Sequence, residues 1–272
     1  MIYEPEQAAH ILQHVEAVFH EDRSTSYKVK KIWWMLAYFR ARGLATGLSQ
    51  SLKSEVAGGP FKGMKLTEKA LETYHAPLLL GSYEHELHGF FEQAAQAGYK
   101  RILNIGCSVG YYAVGLALRM PTVIVDAFDI NAEARADCAA LAALNGVQDR
   151  VRVQGEFRGE AFADYLQDKA LAVVDIEGAE TALMNPDAYP ALRRIDMLIE
   201  MHDTVESSTS RALVQRFTAS HDIHVIPNRA TLPDLAGIVP SGTYIDPFDH
   251  LLLGWECRDG PTPWGLFRVK TG

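Results

Sequence analysis

A glycine turn and a carboxylate on the next strand are the residues of this chain that point most directly to chemistry. Residues 102–110 have the sequence ILNIGCSVG, an apolar strand that runs into a turn at Gly106. A second apolar strand, residues 122–130, carries Asp129 near its end. A glycine turn between strand and helix exposes backbone N–H groups, and a carboxylate at the neighbouring strand tip can accept both hydroxyls of a ribose. The pair predicts a nucleoside site.

The spacing of the glycines narrows the choice of nucleoside. A dinucleotide-binding turn has glycine at its first, third and sixth positions. Here Ser108 and Tyr111 occupy the third and sixth positions, and Gly110 comes one position early. The turn also lacks the Lys of a phosphate-binding loop. The spacing therefore disfavours NAD and favours a nucleoside without phosphates, of which S-adenosylmethionine is the most common cofactor.

Two acidic motifs further along the chain support the same interpretation. Residues 175–180 have the sequence DIEGAE, and a later strand ends in IEMHD at residues 199–203. With these motifs the chain resembles the class I S-adenosylmethionine-dependent methyltransferases over residues 100–227 and a last strand near Trp264, and within that class it is similar to the FkbM family. The resemblance implies an α/β fold with a doubly wound, mainly parallel, seven-stranded Rossmann-like sheet. It also implies S-adenosylmethionine as cofactor and S-adenosylhomocysteine as product.

The elements that must position these residues follow from hydrophobic spacing. Three- and four-residue spacing predicts helices at 6–20, 27–42 and 82–97, and Asn131 is the expected N-cap of a helix over 132–144. Short apolar runs predict strands at 101–105, 122–129, 151–154, 171–175, 197–201 and 223–226. We therefore expect a helical N-terminal extension or lid over residues 1–98 and a catalytic domain over 99–272. Within the second, residues 228–262 form an insertion on the substrate side.

Ligands of such sheets bind outside the carboxyl ends of the strands, which is where the candidate cofactor residues fall. We expect the glycine turn to face the methionine part, Asp129 to hold the ribose, and the pair after the third strand to meet the adenine. The full predicted set is Gly106, Ser108, Gly110, Asp129, Ile130, Glu156, Phe157 and Asp175. For Asp129 the alternative is a helix N-terminal acid, and for the adenine pair it is an ordinary loop.

Two residues are the catalytic candidates. His202 follows the fifth strand, and a neutral imidazole there could accept a proton from an acceptor hydroxyl. Asp175 is expected near the methionine amine or the reacting methyl group. The alternative for His202 is a structural histidine, or one that only orients the substrate.

A metal centre is an alternative that the sequence does not favour. Asp175, Glu200 and Asp203 could together bind Mg²⁺ against a sugar diol, but the predicted site contains no metal. His85 and His88 lie on the helix before the first strand and could line the mouth of the site. Their role is left open.

Composition limits the class of protein without deciding its function. The 272 residues are 48% hydrophobic, enough for one large core and a smaller appended unit. A net charge of −8 disfavours a nucleic-acid partner. Three cysteines without CxxC spacing, and the lack of an 18-residue apolar run or a signal peptide, predict a cytoplasmic protein with reduced thiols and no stable membrane insertion.

One basic stretch stands out in this acidic chain. Residues 27–42 place Lys and Arg around Trp33, Trp34 and Phe39. The stretch could contact an anionic membrane or a lipid-linked substrate. We favour a lid or homodimer helix that buries these aromatic side chains under basic stems.

The predicted function is O-methylation of a hydroxyl on a sugar or small secondary metabolite, as the resemblance implies. N- or carboxyl-methylation of a small molecule or peptide is the alternative within the enzyme class. A non-catalytic nucleoside-binding or scaffold protein is the alternative outside it. In the enzyme alternatives the main partner is a small-molecule acceptor, whose identity the sequence leaves open.

Overall fold

A seven-stranded sheet forms the centre of the computed structural model, which describes residues 5–204, 208–239, 245–258, 260 and 262–271. Its strands are β1 (Arg101–Ile105), β2 (Ile124–Phe128), β3 (Val151–Gln154), β4 (Ala170–Val174), β5 (Asp196–Glu200), β6 (His221–Ile226) and β7 (Trp264–Val269). The order is β3-β2-β1-β4-β5-β7-β6, and β7 alone runs antiparallel, between β5 and β6. The predicted fold class, a mainly parallel, seven-stranded Rossmann-like sheet, is confirmed.

Helices cover both faces of the sheet. The α-helices are α1 (Pro5–Phe19), α2 (Thr25–Ser51), α3 (Glu68–Leu80), α4 (His88–Gln96), α5 (Tyr111–Arg119), α6 (Ala132–Leu144), α7 (Glu180–Leu183), α8 (Thr209–Phe217) and α9 (Pro247–Leu253). Because successive strand side chains point to opposite faces, Ile102 packs in one apolar core with Phe91 and Val114, whereas Leu103 packs in the other with Phe217. This burial on both faces explains the continuous apolar strands.

The N-terminal region differs from the prediction in three places. Helix α2 continues to Ser51, past Gly43, and α3 was not predicted. The helix expected over 82–97 begins only at His88, after a short 3₁₀ turn (His85–Leu87), because Glu84 adopts a left-handed conformation that an α-helix cannot contain. Gly81 is also left-handed and ends α3.

The face that α2 buries is also different from the expected one. Its buried side chains are Ala37, Ala41, Leu44 and Ala45, whereas Trp33 is 61% exposed and Leu36 is 44% exposed. The prediction that α2 covers Trp33 is therefore wrong for the single chain. A homodimer through the N-terminal helices stays a prediction.

The proposed boundary at residue 98 does not separate two cores. Phe61 and Leu78, both N-terminal to it, lie in the same apolar cluster as Ile102 of β1. A smaller cluster joins α2 and α3 to α9 through Ala41, Ala76 and Leu252. The division into extension and catalytic domain stays a prediction. Among the described helices, none has the length and apolar character needed to cross a membrane.

Candidate active site

A cavity of about 600 Å³ lies across the carboxyl ends of β3, β2, β1 and β4. Its volume falls within the range of small-molecule and cofactor sites. Six of the predicted cofactor residues line it: Gly106, Asp129, Ile130, Glu156, Phe157 and Asp175. Parallel strands bring their carboxyl ends to one edge of the sheet, so these six residues, which are up to 69 positions apart in the sequence, meet in one cavity. Ser108 and Gly110 lie outside its lining.

Gly106 allows the backbones of β1 and β4 to approach at the floor of this cavity. Its φ is 81°, and a Cβ there would lie 1.6 Å from the carbonyl oxygen of Asp175. The N–H groups of Gly106 and Cys107 both donate to the carbonyl of Phe128, at 2.8 and 2.9 Å. Glycine is therefore required here for the close approach of the two backbones, and the N–H groups of Gly106 and Cys107 are not the free donors that the sequence suggested.

Asp129 fixes the conformation of the turn. Its Oδ2 accepts a hydrogen bond from the N–H of Ser108 at 2.9 Å, and its Oδ1 accepts one from the N–H of Asn131 at 2.8 Å. Each carboxylate oxygen can accept a further hydrogen bond, so the carboxylate can still meet a diol. Its role in ribose binding stays a prediction. Ile130, beside it, is 82% exposed and forms an open wall of the cavity.

Gly110 serves the packing of two helices. It precedes α5 with φ of 91°, and a Cβ there would lie 2.8 Å from Sγ of Cys138 in α6. Its place outside the cavity lining indicates a structural role instead of the predicted cofactor contact.

The residues expected to meet adenine lie at the far end of the cavity. Phe157 is buried and packs edge-on against Phe128 and Phe162, with ring centroids 4.9 and 4.7 Å apart. Glu156 is exposed and lies 3.7 Å from Arg158. Phe157 thus offers an apolar ring and Glu156 an adjacent carboxylate. This combination suits a flat heteroaromatic ring that carries an amino group.

His202 is oriented by a carboxylate that the sequence analysis gave no role. Its Nδ1 lies 2.8 Å from Oε1 of Glu180, the last residue of the DIEGAE motif. Glu180 is fully buried and also accepts the N–H of Gly178 at 3.1 Å. Burial alone would raise the pKa of Glu180, but the hydrogen bonds from His202 and the backbone lower it overall. The motif's second glutamate was the available signal for this pair.

The other nitrogen of His202 faces three carboxylates. Nε2 lies 3.4 Å from Glu177, 3.7 Å from Glu200 and 3.8 Å from Asp175. The hydrogen bond to Glu180, opposed by burial and reinforced by the neighbouring charges, raises the pKa of His202 to about 9. A raised pKa favours the protonated imidazole, whereas a neutral imidazole was expected. The role of His202 as a base stays a prediction.

Asp175 is the buried acid at the boundary of the cavity. Its Oδ1 is shielded from solvent and accepts no hydrogen bond from the described residues. Burial, followed by the charge of Glu200, raises the pKa of Asp175 to about 9. A cation placed beside Asp175 would favour the ionised form of this buried carboxyl group and lower its pKa.

Arg258 joins the insertion to the same acidic centre. Its guanidinium donates to Glu84, Glu200 and Glu256. Glu84 is 1% exposed and has a left-handed backbone at φ of 46°, and burial raises its pKa well above the ordinary value. A buried acid on a strained backbone is typical of functional sites.

The centre as a whole has more carboxyl groups than basic groups. Its carboxyl side chains are Glu84, Asp175, Glu177, Glu180, Glu200 and Glu256, and its basic side chains are His202 and Arg258. Six carboxyl groups thus face two basic ones. Such an excess favours a cationic ligand.

A metal ion is one such cation. Ligand atoms of Asp175, Glu200 and His202 lie within 4.8 Å of one another, and in the described part of the chain these residues form the group of three that could hold a metal. Asp203, expected in this set, instead accepts hydrogen bonds from the N–H and Oγ of Ser210 at the start of α8. In the described part of the chain, the residues that lie together are therefore not the alternative oxygen-only set, and His202 stands where Asp203 was expected.

His85 and His88 do not join this centre. Their rings pack against each other with centroids 4.6 Å apart, and burial lowers the pKa of His88. The described residues around them do not complete a three-ligand group.

Comparisons with known proteins show only distant likeness. No family model and no curated protein matches the chain. Among solved structures, the chain is similar to cofactor-bound Rv0187 from MTB, with 13% identity, a TM-score of 0.47, and coverage of 84% of this chain and 89% of that one. An O-methyltransferase from Bacillus cereus in complex with SAH gives 12% identity, a TM-score of 0.43, and coverage of 84% and 91%.

Precorrin-6y C5,15-methyltransferase from Geobacter metallireducens gives 10% identity, a TM-score of 0.45, and coverage of 68% of this chain and 87% of that one. Likeness at this level assigns no activity to the chain. Its function has to be argued from the site.

Proposed function

We propose that this protein is an S-adenosylmethionine-dependent methyltransferase that methylates a hydroxyl of a small molecule. The observation that carries the proposal is the cavity at the carboxyl ends of four parallel strands, where bare backbone at Gly106 lies between the carboxylates of Asp129 and Asp175. The first carboxylate suits a ribose diol, and the second suits a cation.

The residues present fit this cofactor in charge as well as in shape. S-adenosylmethionine has a sulfonium and an ammonium group, and the site has more acidic than basic side chains. Asp175, with one oxygen buried and without a hydrogen bond from the described residues, would hold the ammonium group. Glu156 and Phe157 would hold the adenine, and Asp129 the ribose. When bound, the cofactor supplies an activated methyl group for in-line displacement.

His202 is the group placed to handle the acceptor proton. Its pKa is raised by surrounding carboxylates, so positive charge beside Asp175 and Glu200 lowers that pKa towards neutrality. In that state Nε2 can accept a proton from a hydroxyl while Glu180 holds Nδ1–H and fixes the tautomer. The same geometry supports a histidine that only orients the acceptor.

The kind of acceptor is part of the proposal. The DIEGAE motif and its similarity to the FkbM family support a sugar or secondary metabolite, with O-methylation first and N- or carboxyl-methylation as alternatives. A bound divalent metal at Asp175, Glu200 and His202 is a second candidate feature, supported by the proximity of their ligand atoms. In such a metal site Glu180 would orient the imidazole of His202 as a metal ligand, as carboxylates that accept a hydrogen bond from a ligating histidine commonly do.

Calorimetry with S-adenosylmethionine, S-adenosylhomocysteine and NAD tests the cofactor. We expect the first two to bind and NAD not to bind. Asp129→Ala should weaken binding about tenfold or more, equivalent to about 1.4 kcal/mol. Asp149→Ala, an exposed acid outside the cavity, is the matched control and should bind as wild type. Tight binding of NAD, or equal affinity in the two variants, would refute the cofactor assignment.

Formation of S-adenosylhomocysteine over a panel of hydroxyl compounds tests turnover. His202→Gln should lower turnover by about 10²-fold or more if the imidazole is a general base, and turnover within a few-fold of wild type removes that role. Cofactor binding without turnover on any acceptor would favour the scaffold alternative. Full activity in excess EDTA would exclude the metal.

A further inference from the structure

A second cavity, of about 520 Å³, lies between α2, α9 and the chain that follows β6. Its apolar lining includes Trp33, Leu232, Phe248, Leu251, Leu252 and Trp255. Apolar cavities of this size with a few polar groups are typical of small-molecule sites. None of these residues lines the cavity at Gly106 and Asp175.

The walls of this second cavity are held in place by specific contacts. Arg40 of α2 donates to both carboxylate oxygens of Asp249 in α9, at 2.7 and 2.5 Å. Trp255 packs edge-on against Trp34, with ring centroids 5.4 Å apart. A bidentate ion pair with side chains only 20% and 13% exposed fixes the angle between the two helices. The cavity is therefore a formed feature of the fold.

The polar end of the cavity lies beside residues that contact the candidate active site. Glu256 and Arg258 line it, and the guanidinium of Arg258 contacts Glu200, whose Oε2 lies 3.7 Å from Nε2 of His202. A molecule in the cavity would therefore have one end at Arg258, with Glu200 between Arg258 and His202. No other charged residue lines this cavity in the described part of the chain except Arg229, which is exposed to solvent at the rim.

Charge at that polar end selects against anions. The guanidinium of Arg258 is already engaged by Glu84, Glu200 and Glu256, so a carboxylate, sulfate or phosphate placed there would find acidic side chains and no free positive partner. Contact with these acidic side chains disfavours an anion in a partly buried site. Neutral or cationic groups are not disfavoured in this way.

The apolar walls select for an apolar body. Trp33, Phe248 and Leu251 are 61%, 49% and 58% exposed in the free chain. Contiguous exposed apolar surface of this kind commonly marks a binding site. A ligand that covers these side chains gains from burial of their surface, whereas a bare sugar would find few hydrogen-bond partners for its hydroxyls.

We propose that this cavity binds the body of the methyl acceptor, and that the acceptor is an aromatic or otherwise apolar molecule without an anionic group. The proposal rests on the proposed methyltransferase function and narrows its substrate class. It disfavours free sugars and acceptors attached to phosphate-containing carriers.

Two fluorescent probes that differ by one sulfonate test the proposal. N-phenyl-1-naphthylamine is neutral, and 8-anilinonaphthalene-1-sulfonate is the same molecule with an anionic group. We expect the neutral probe to bind at one site, with energy transfer from the nearby tryptophans. Its affinity should be about tenfold or more higher than that of the anionic probe, which corresponds to a difference of about 1.4 kcal/mol in binding free energy. Equal binding of the two probes, or no binding of the neutral one, would overturn the proposal.

Matched double variants locate the probe. Phe248→Glu/Leu251→Glu alters the cavity, and Phe19→Glu/Leu12→Glu changes the same residue types on the exposed side of α1. All four positions are exposed, so both variants should fold. Only the first should weaken binding of the neutral probe, by about tenfold or more. Equal loss in both variants, or displacement of the probe by methyl glucoside, would contradict an apolar acceptor site.

Cofactor calorimetry on the same proteins separates the two proposals. We expect S-adenosylmethionine to bind both double variants as it binds wild type. If wild type binds the neutral probe selectively but does not bind S-adenosylmethionine, the methyltransferase proposal fails, and the acceptor assignment of the cavity fails with it. If S-adenosylmethionine binds but the probe does not, the acceptor class alone is wrong.

Discussion

Removal of the Arg258 guanidinium should destabilise the fold, because buried carboxyl groups lose their positively charged partner. Arg258 contacts Glu84, Glu200 and Glu256, whose side chains are 1%, 4% and 15% exposed. Arg258→Met keeps most of the side-chain volume and removes the charge. The buried carboxylates then lose the positive partner that compensates for their desolvation.

The expected loss follows from that burial. Breaking a buried ion pair by removing one partner costs about 3–5 kcal/mol. Burial already raises the pKa of Glu84, so part of the loss is relieved when this carboxyl group takes up a proton. We therefore expect a loss at the low end of that range, about 3 kcal/mol at pH 7.5, or about 6–12 °C in Tm for a chain of this size.

Urea denaturation at pH 7.5 and pH 5 is the measurement. A carboxyl group with a raised folded-state pKa costs stability as the pH rises above its unfolded pKa, so the difference between Arg258→Met and wild type should be smaller at pH 5. Arg119→Met is the matched control, because Arg119 pairs with Glu92 at the surface, where both side chains are at least 40% exposed. We expect that control to lose about 1 kcal/mol or less.

A double variant separates charge from packing. If uncompensated carboxylates cause the loss, Arg258→Met/Glu84→Gln should recover about 1 kcal/mol or more relative to Arg258→Met. A loss in Arg258→Met no larger than in Arg119→Met, or no recovery in the double variant, would refute the argument that Arg258 neutralises a buried acidic centre.

Three further outcomes are expected. Gly106→Ala should cost about 3 kcal/mol or more, because its Cβ would overlap the carbonyl of Asp175, whereas Gly155→Ala has open space and should unfold near the wild-type urea concentration. Burial lowers the pKa of His221, so the folded state becomes less stable as the pH falls below the pKa of this histidine in the unfolded chain. Between pH 7.5 and 5.5 the unfolding free energy of His221→Gln should therefore fall less than that of wild type. Phe157→Ala should weaken calorimetric S-adenosylmethionine binding without affecting the neutral probe.

The sequence determined the sheet and the position of the cavity at the carboxyl ends of its strands. Apolar runs of the right length predicted the strands within a few residues, because burial on both faces requires continuous apolar side chains. The glycine turn at Gly106 and the carboxylate of Asp129 were found together because parallel strands align their ends at one edge. Asn131 was predicted as an N-cap, and its side chain does accept the N–H of Glu133.

Elements with competing local signals were predicted less well. Helix α2 continues through Gly43, and its buried face consists of three alanines and Leu44, which pack against α3 and α9. The prediction instead had this helix bury Trp33, which is exposed. Close helix packing favours small residues at the contact, and a search for large apolar side chains misses such a face.

The charge state of the site was decided only by tertiary structure. Glu180 meets His202 across 22 residues, and Glu84 meets Arg258 across 174. The contact with Glu180 raises the pKa of His202. A separate contact, with Ser210, holds the carboxylate of Asp203 at the start of α8. Residue types and spacing establish which groups reach the edge of the sheet. A pKa depends on the solvent and charges within a few ångströms, and only the folded chain brings those neighbours together.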